Sequence, residues 1–254
     1  MNAAIVEQIG SYGSWPTTWT AIGGYDTDAT DQEAAAYLDF VGDASDPGLY
    51  YASDESYVYF RMRVDEGTFT SDTASGAHIL LIDIVGVGND GIDYGFSWDS
   101  KSNDPSSHGL EMSVVSTNGP SWGVSQVDDL DGSNAKKETN DINGDGRTTD
   151  GYVRTVDGVS TTSFGTTSFI DFAVSWSYLD TYTDLDPSQT WNVTAASIAN
   201  ATDHNAFNAD VMGAELTDSV TTGWTSVSLV PEPGNALAIV LVVALGTQRW
   251  RRRR

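Results

Sequence analysis

The chain has no cysteine, only three histidines and only 12 lysines and arginines in 254 residues. Without cysteine there is no disulfide framework, no thiolate nucleophile and no sulfur ligand for a metal, although the absence says nothing about the compartment. Positive charge is scarcer than the total implies, because Arg249 and Arg251 to Arg254 close the C-terminus. Residues 1–230 therefore hold seven basic residues against 35 acidic ones, a formal charge of −28. A surface of that sign excludes nucleic acid as a partner, since phosphate binding needs lysine and arginine. It favours solubility and cation binding and suits a salty or calcium-containing exterior; a solvated anionic surface with no specific partner is the simpler alternative. The histidines, His78, His108 and His204, stand at no metal-ligand spacing and follow no nucleophile elbow. Long apolar runs are missing too, except for one close to the C-terminus.

What is present is short alternating runs punctuated by Gly, Asp, Asn and Ser, the pattern of an antiparallel β-sandwich. In "YVYFRMRV" Val58, Phe60, Met62 and Val64 point one way and Tyr57, Tyr59, Arg61 and Arg63 the other. "AHILLIDIV" (77–85) is almost continuously apolar, as a central strand covered on both sides must be. Further strands are predicted at 93–98, 110–116, 122–127, 151–156, 168–176, 191–197 and 224–230, and "DQEAAAYLDF" is the one short helical candidate before the tail. With 39% hydrophobic and 11% aromatic residues the chain can fill such a core. No repeat or linker divides it, so one all-β domain is expected over residues 1–229, jelly-roll-like in class.

The tail, residues 230–254, has three ordered parts. Val230, Pro231, Glu232 and Pro233 hold an extended segment, because each proline bars helix at and before its own position. "ALAIVLVVALG" (236–246) follows, and taking 234–250 as the unit reaches the lower limit of about 17 residues for one transmembrane helix. The arginines Arg249, Arg251, Arg252, Arg253 and Arg254 then keep the C-terminus cytoplasmic and leave the bulk of the chain on the far side. This order resembles the PEP-CTERM sorting signal of Gram-negative bacteria. The resemblance implies recognition by exosortase, a membrane-embedded transpeptidase-like enzyme. It further implies processing near the motif, a transient stay in the inner membrane, and export to the cell surface or extracellular matrix. Such proteins carry an N-terminal secretory signal, whereas "MNAAIVEQIGSYGSWP" has no basic region and no long apolar run. A start placed too far downstream, a leader already removed, or a vestigial tail would each account for that.

Between Gly42 and Leu179 the order "GDASDPGLYYASDESYVYFRMRVDEG", "LLIDIVGVGNDGIDYGFSWD" and "SFIDFAVSWSYL" resembles DOMON domains and family 9 carbohydrate-binding modules. That resemblance implies the sandwich fold and fixes no ligand residue. A glycan nevertheless suits an exported sandwich, and extracellular polysaccharide is the expected partner.

Three local constellations carry chemistry. In "DINGDGRTTDGY" the oxygens of Asp141, Asn143 and Asp145, with Gly146 at the sharp turn and Thr149 further on, match positions 1, 3, 5, 6 and 9 of a calcium loop. Position 12 is Tyr152, so the cage is expected to be irregular and completed by Asp150, Asp129 or Asp131. Calcium (Ca2+) is thus the expected cofactor; the alternative is a hairpin turn, for which Asn-Gly and Asp-Gly suffice. A second cluster, Asp83, Asn89, Asp90 and Asp93, is less regular and reads first as a turn. On the polar face of 57–64, Tyr57, Tyr59, Arg61 and Arg63 form a candidate platform for a sugar ring or a uronic-acid carboxylate. The competing account, favoured by the abundance of aspartate, pairs the arginines with Asp83 or Asp171 on other strands. Among the tryptophans, Trp98 and Trp176 are expected in the core and Trp15 and Trp19 in an exposed segment. No catalytic residue is assigned, since paired carboxylates in so acidic a chain mean nothing without geometry. The expectation is a calcium-stabilised carbohydrate-binding surface protein. A structural or adhesive anionic matrix protein is second, and a secreted polysaccharide hydrolase third.

Overall fold

A computed structural model describes residues 4–9, 14–26, 36–65, 76–85, 92–99, 110–115, 124–129, 150–198, 210–212 and 225–228. In chain order these form β1 (Ala4–Ile9), β2 (Thr20–Gly23), a 3₁₀ turn (Ala36–Leu38), β3 (Leu49–Ser53), β4 (Tyr57–Val64), β5 (Ala77–Ile84), β6 (Tyr94–Asp99), β7 (Leu110–Val115), β8 (Val124–Asp129), β9 (Gly151–Ser160), β10 (Thr166–Ser175), the helix α1 (Trp176–Tyr182), β11 (Thr190–Ile198), β12 (Asp210–Val211) and β13 (Thr225–Ser228).

The strands make two wholly antiparallel sheets. The first runs β1-β9-β10-β4-β3-β2, and the second runs β12-β11-β5-β6-β7-β8 with β13 also paired to β11. One core joins them. Phe60, Met62, Phe172 and Val174 from the first sheet share a buried cluster with Leu80, Ile82, Phe96, Trp191 and Val193 from the second. These residues fall at every second position of their strands, as two sheets facing one another require. The expected all-β sandwich is therefore present, and the alternation predicted for 57–64 is the one observed.

β5 lies between β11 and β6, and Ile79 and Leu81 are as fully buried as Leu80 and Ile82, which explains its nearly continuous apolar run. Two segments differ from the expectation. Trp176 does not end a strand; it begins α1, because Ser175 takes the N-cap and its hydroxyl accepts from the Tyr178 N–H. Tyr178 and Leu179 then turn into the core. In the helical candidate at 31–40 the described residues form only the short 3₁₀ turn, followed by chain that bridges to β4. β1, β2, β3 and β12 were not legible as strands. Gly158 has φ +73° where two β9 residues, Asp157 and Gly158, stand opposite Ser168 of β10, a bulge that only glycine adopts without strain. Among the described residues no helix is long and apolar enough to cross a membrane; the predicted membrane segment at 234–250 lies outside them.

Candidate functional site

Register explains what became of the polar face of β4. Asp171 of β10 stands directly opposite Arg61 of β4 on one side and Arg154 of β9 on the other. It accepts from Arg61 Nε at 2.6 Å and Nη2 at 2.8 Å and from Arg154 Nε at 2.7 Å. Asp171 has no exposed side-chain surface, so one carboxylate serves two nearly buried guanidinium groups. Of the two predicted partners Asp171 is the real one; Asp83 belongs to the second sheet and accepts from Asn192 Nδ2. Arg63 is buried and donates to neutral groups: the Pro47 carbonyl, the Thr167 hydroxyl and the Tyr50 hydroxyl.

This face is covered rather than open. Trp19 lies over the Arg61 guanidinium at 4.2 Å and Trp15 over that of Arg154 at 4.5 Å, while Phe169 stacks on both Arg61 and Arg63 at 4.4 Å. Both indoles pack near Tyr59, with ring centroids 6.1 and 6.4 Å apart. On the candidate platform Tyr59 and Arg63 are buried, Tyr57 and Arg61 are half-buried, and Trp15 and Trp19, expected to be exposed, are half-buried covers. Desolvated cations lack enough local carboxylate, so aromatic faces supply the remaining stabilisation. Three of the seven basic residues that precede the tail are consumed here.

An open groove of about 710 Å³ lies at one end of the sandwich, between the β3–β4 turn and the chain that leaves α1. Its lining includes Asp54, Glu55, Trp176, Asp180, Asp184 and Asp186. Each wall is held by an indole. Trp176 Nε1 donates to the Asp54 carbonyl at 3.0 Å, and Trp191 Nε1 donates to the Asp186 carbonyl at 3.2 Å. The two rings sit 6.1 Å apart at 59°, with Trp191 in the core and Trp176 half-buried at the groove. Asp54 Oδ1 accepts from the Ser56 and Tyr57 N–H groups and Oδ2 from the Tyr59 hydroxyl, which fixes the turn. On the far wall Asp186 accepts from the Ser188 N–H and hydroxyl, bonds that hold its carboxyl below the usual carboxylate range. Asp184 donates its N–H to the Tyr94 hydroxyl. Glu55, Asp180 and Asp184 have no side-chain partner among the described residues. The groove therefore has rigid walls, an aromatic surface and free acceptors.

No protein-family model, curated protein or solved structure matches this chain. What the groove binds must come from its own chemistry. Trp176 was expected in the core; the Ser175 cap turns it out of the strand, and the bond to Asp54 that holds it, 122 positions away, leaves no local trace in the sequence.

The other predicted sites have these places. Asp141, Asn143, Asp145 and Thr149 lie outside the described residues. Asp150 is described: it is buried, and its carbonyl accepts from the Ser175 N–H. Val230, Pro231, Glu232 and Pro233 and the five tail arginines also lie outside the described residues. Asn89 and Asp90 do as well, whereas Asp93 accepts from the Ile84 N–H at 2.8 Å. Burial pushes the Asp93 carboxyl above the usual range, and Asp83 and Asp184 add to that rise. Among the described residues no group of three or more His, Asp and Glu side chains is arranged to hold a metal.

Proposed function

We propose that this chain is an exported surface or matrix protein that binds extracellular polysaccharide in the groove at Trp176. The single observation that carries the reading is that groove: about 710 Å³, within the range of ligand sites, walled by hydrogen-bonded turns and presenting one half-buried indole beside unengaged carboxylates. A sugar ring offers an apolar face to an aromatic surface and hydroxyl groups to oxygen acceptors. The reading moves the glycan site from the β4 platform, where Trp15 and Trp19 already occupy the guanidinium faces, to the end of the sandwich.

Delivery belongs to the same proposal. The Val230–Pro233 motif, the apolar stretch 236–246 read as a single C-terminal transmembrane helix, and the arginine cluster support sorting as a PEP-CTERM protein and processing by exosortase. The sandwich then lies on the outer side as a jelly-roll-like module, with calcium in the Asp141 loop as a stabilising ion. A purely ionic matrix role has one feature in its favour, the net charge of −24. Co-sedimentation of the protein with the producing organism's exopolysaccharide, in calcium and in chelator, separates the two. Saturable binding lost in Trp176→Ala and retained in Trp15→Ala supports the groove. Salt-sensitive association that ignores Trp176 refutes it and supports the ionic role.

A further inference from the structure

The inward face of the second sheet carries three polar side chains in one row. His78 of β5 stands opposite Ser197 of β11, which stands opposite Asp210 of β12. Their strand neighbours at the same parity, Leu80, Ala195 and Met212, belong to the core, so these three face the space between the sheets. All are buried. Buried polar groups need partners, and the backbone of residues 37–40 supplies one to each of the three. His78 Nε2 lies 2.6 Å from the Tyr37 carbonyl, the Ser197 hydroxyl donates to the Leu38 carbonyl at 2.7 Å, and the Phe40 N–H donates to Asp210 Oδ2 at 2.6 Å.

The same segment is also bonded to the first sheet, but through backbone. Phe40 bridges to Val64, the Val41 N–H donates to the Arg63 carbonyl at 3.3 Å, and the Asp65 N–H donates to the Asp39 carbonyl at 2.9 Å. Residues 36–42 are therefore inserted between the layers at one end, tied to one sheet by a ladder and to the other by three side chains. Leu38, Phe40 and Val41 are buried in place.

Two of the three ties can titrate, His78 and Asp210, and of these only the histidine gains a charge on protonation. The His78 ring is stacked on Trp98 at 5.7 Å and 25°, with Phe40 edge-on at 6.0 Å. The charged groups on the surrounding elements are Asp39 on the inserted segment, Asp210 on β12, Asp65 after β4 and Asp99 at the end of β6; β11 contributes Ser197. We propose that residues 36–42 are an acid-released clamp: protonation of His78 frees the segment from the second sheet while its ladder to β4 holds, opening this end of the sandwich before the rest unfolds.

Burial lowers the His78 pKa from 6.5 to about 4, opposed by the bond to Tyr37. A histidine lowered in this way contributes stability above its ordinary pKa, and that stability is lost as pH falls from 6.5 toward 4. At pH 4 the closed state is disfavoured about 150-fold relative to its value above pH 7.

Amide exchange of the full chain between pH 7 and pH 4 tests this, with His78→Gln as comparison because glutamine keeps an N–H donor and does not titrate. The expected result, after correction for intrinsic rates, is that Phe40, whose N–H is bonded to Asp210, loses protection in the wild type by about 150-fold more than in His78→Gln, while Val41, bonded to the Arg63 carbonyl, keeps its protection. Protection in β5 and β10 persists over the same interval. Equal pH profiles in the two proteins, or simultaneous loss of protection in β10, overturn the clamp. If His78→Gln does not fold, nuclear magnetic resonance titration of His78 in the wild type decides: a midpoint near 6.5 overturns it. Ser197→Ala gives the structural control, since it weakens the segment at every pH and leaves the pH slope unchanged.

Discussion

Replacing Asp171 by asparagine removes one charge and strands two. Asp171 is wholly buried, and the side chains of Arg61 and Arg154 are only 13% and 10% exposed, so water reaches neither cation freely once the carboxylate is gone. Breaking a buried pair by removing one partner costs about 3–5 kcal/mol, and here the lost anion served both guanidinium groups. Trp15, Trp19 and Phe169 still cover the cations, which holds the cost near the middle of that range. At roughly 2–4 °C per kcal/mol for a chain of this size, Asp171→Asn lowers Tm by about 8–16 °C. Calorimetry at pH 7 measures it. Added salt leaves the difference unchanged, since buried charges are little screened. A triple variant, Arg61→Met, Arg154→Met and Asp171→Leu, recovers most of the loss because no charge remains to be desolvated. A loss under about 1 kcal/mol in Asp171→Asn, or a loss abolished by 0.5 M salt, refutes the reasoning and makes the triad an ordinary surface ion pair.

Three further outcomes are expected. Gly24 has φ +70°, and a Cβ there would overlap Met212 Sδ and the Leu49 backbone and Cβ; Gly165 has φ +77° with nothing within 4 Å. Gly24→Ala therefore costs more than about 3 kcal/mol by urea unfolding, against about 1 kcal/mol for Gly165→Ala, where only left-handed strain acts. The raised Asp93 pKa means that the folded protein favours the proton; that stability is present at low pH and is lost as pH rises, so ionised Asp93 is a cost at pH 7. Asp93→Asn keeps an acceptor for the Ile84 N–H and raises stability at pH 7 by up to about 1 kcal/mol, a gain that disappears near pH 4 in a pH series of melting curves. Finally, Asp141→Ala with Asp145→Ala abolishes any calcium-dependent rise in Tm; a calcium response equal to the wild type removes the metal from that loop.

The period of two along a strand is local, and it is why so much of the sandwich was legible. Val58, Phe60, Met62 and Val64 declare their face in eight residues, and the nearly continuous apolar run at 77–85 declares a strand buried on both sides. Where a pairing joins distant positions, the sequence gives a residue type and no neighbour. Asp171 was one of two candidate partners for the arginines, and only the register of β4, β10 and β9 chose it and added Arg154. Trp176 and Trp98 look alike in their strand patterns, yet a cap at Ser175 turns the first toward a groove and leaves the second in the core. His78, Ser197 and Asp210 are separated by up to 132 positions and carry no shared motif; antiparallel pairing sets them in one row, and the backbone of residues 37–40 makes that row tolerable inside a core. The sequence by itself determined most of the strands and their faces, since each follows from neighbours along the chain. The tertiary structure alone decided which buried charges meet, which aromatic rings stay open and where the two sheets are clamped, because those depend on register and desolvation between residues that the chain keeps far apart.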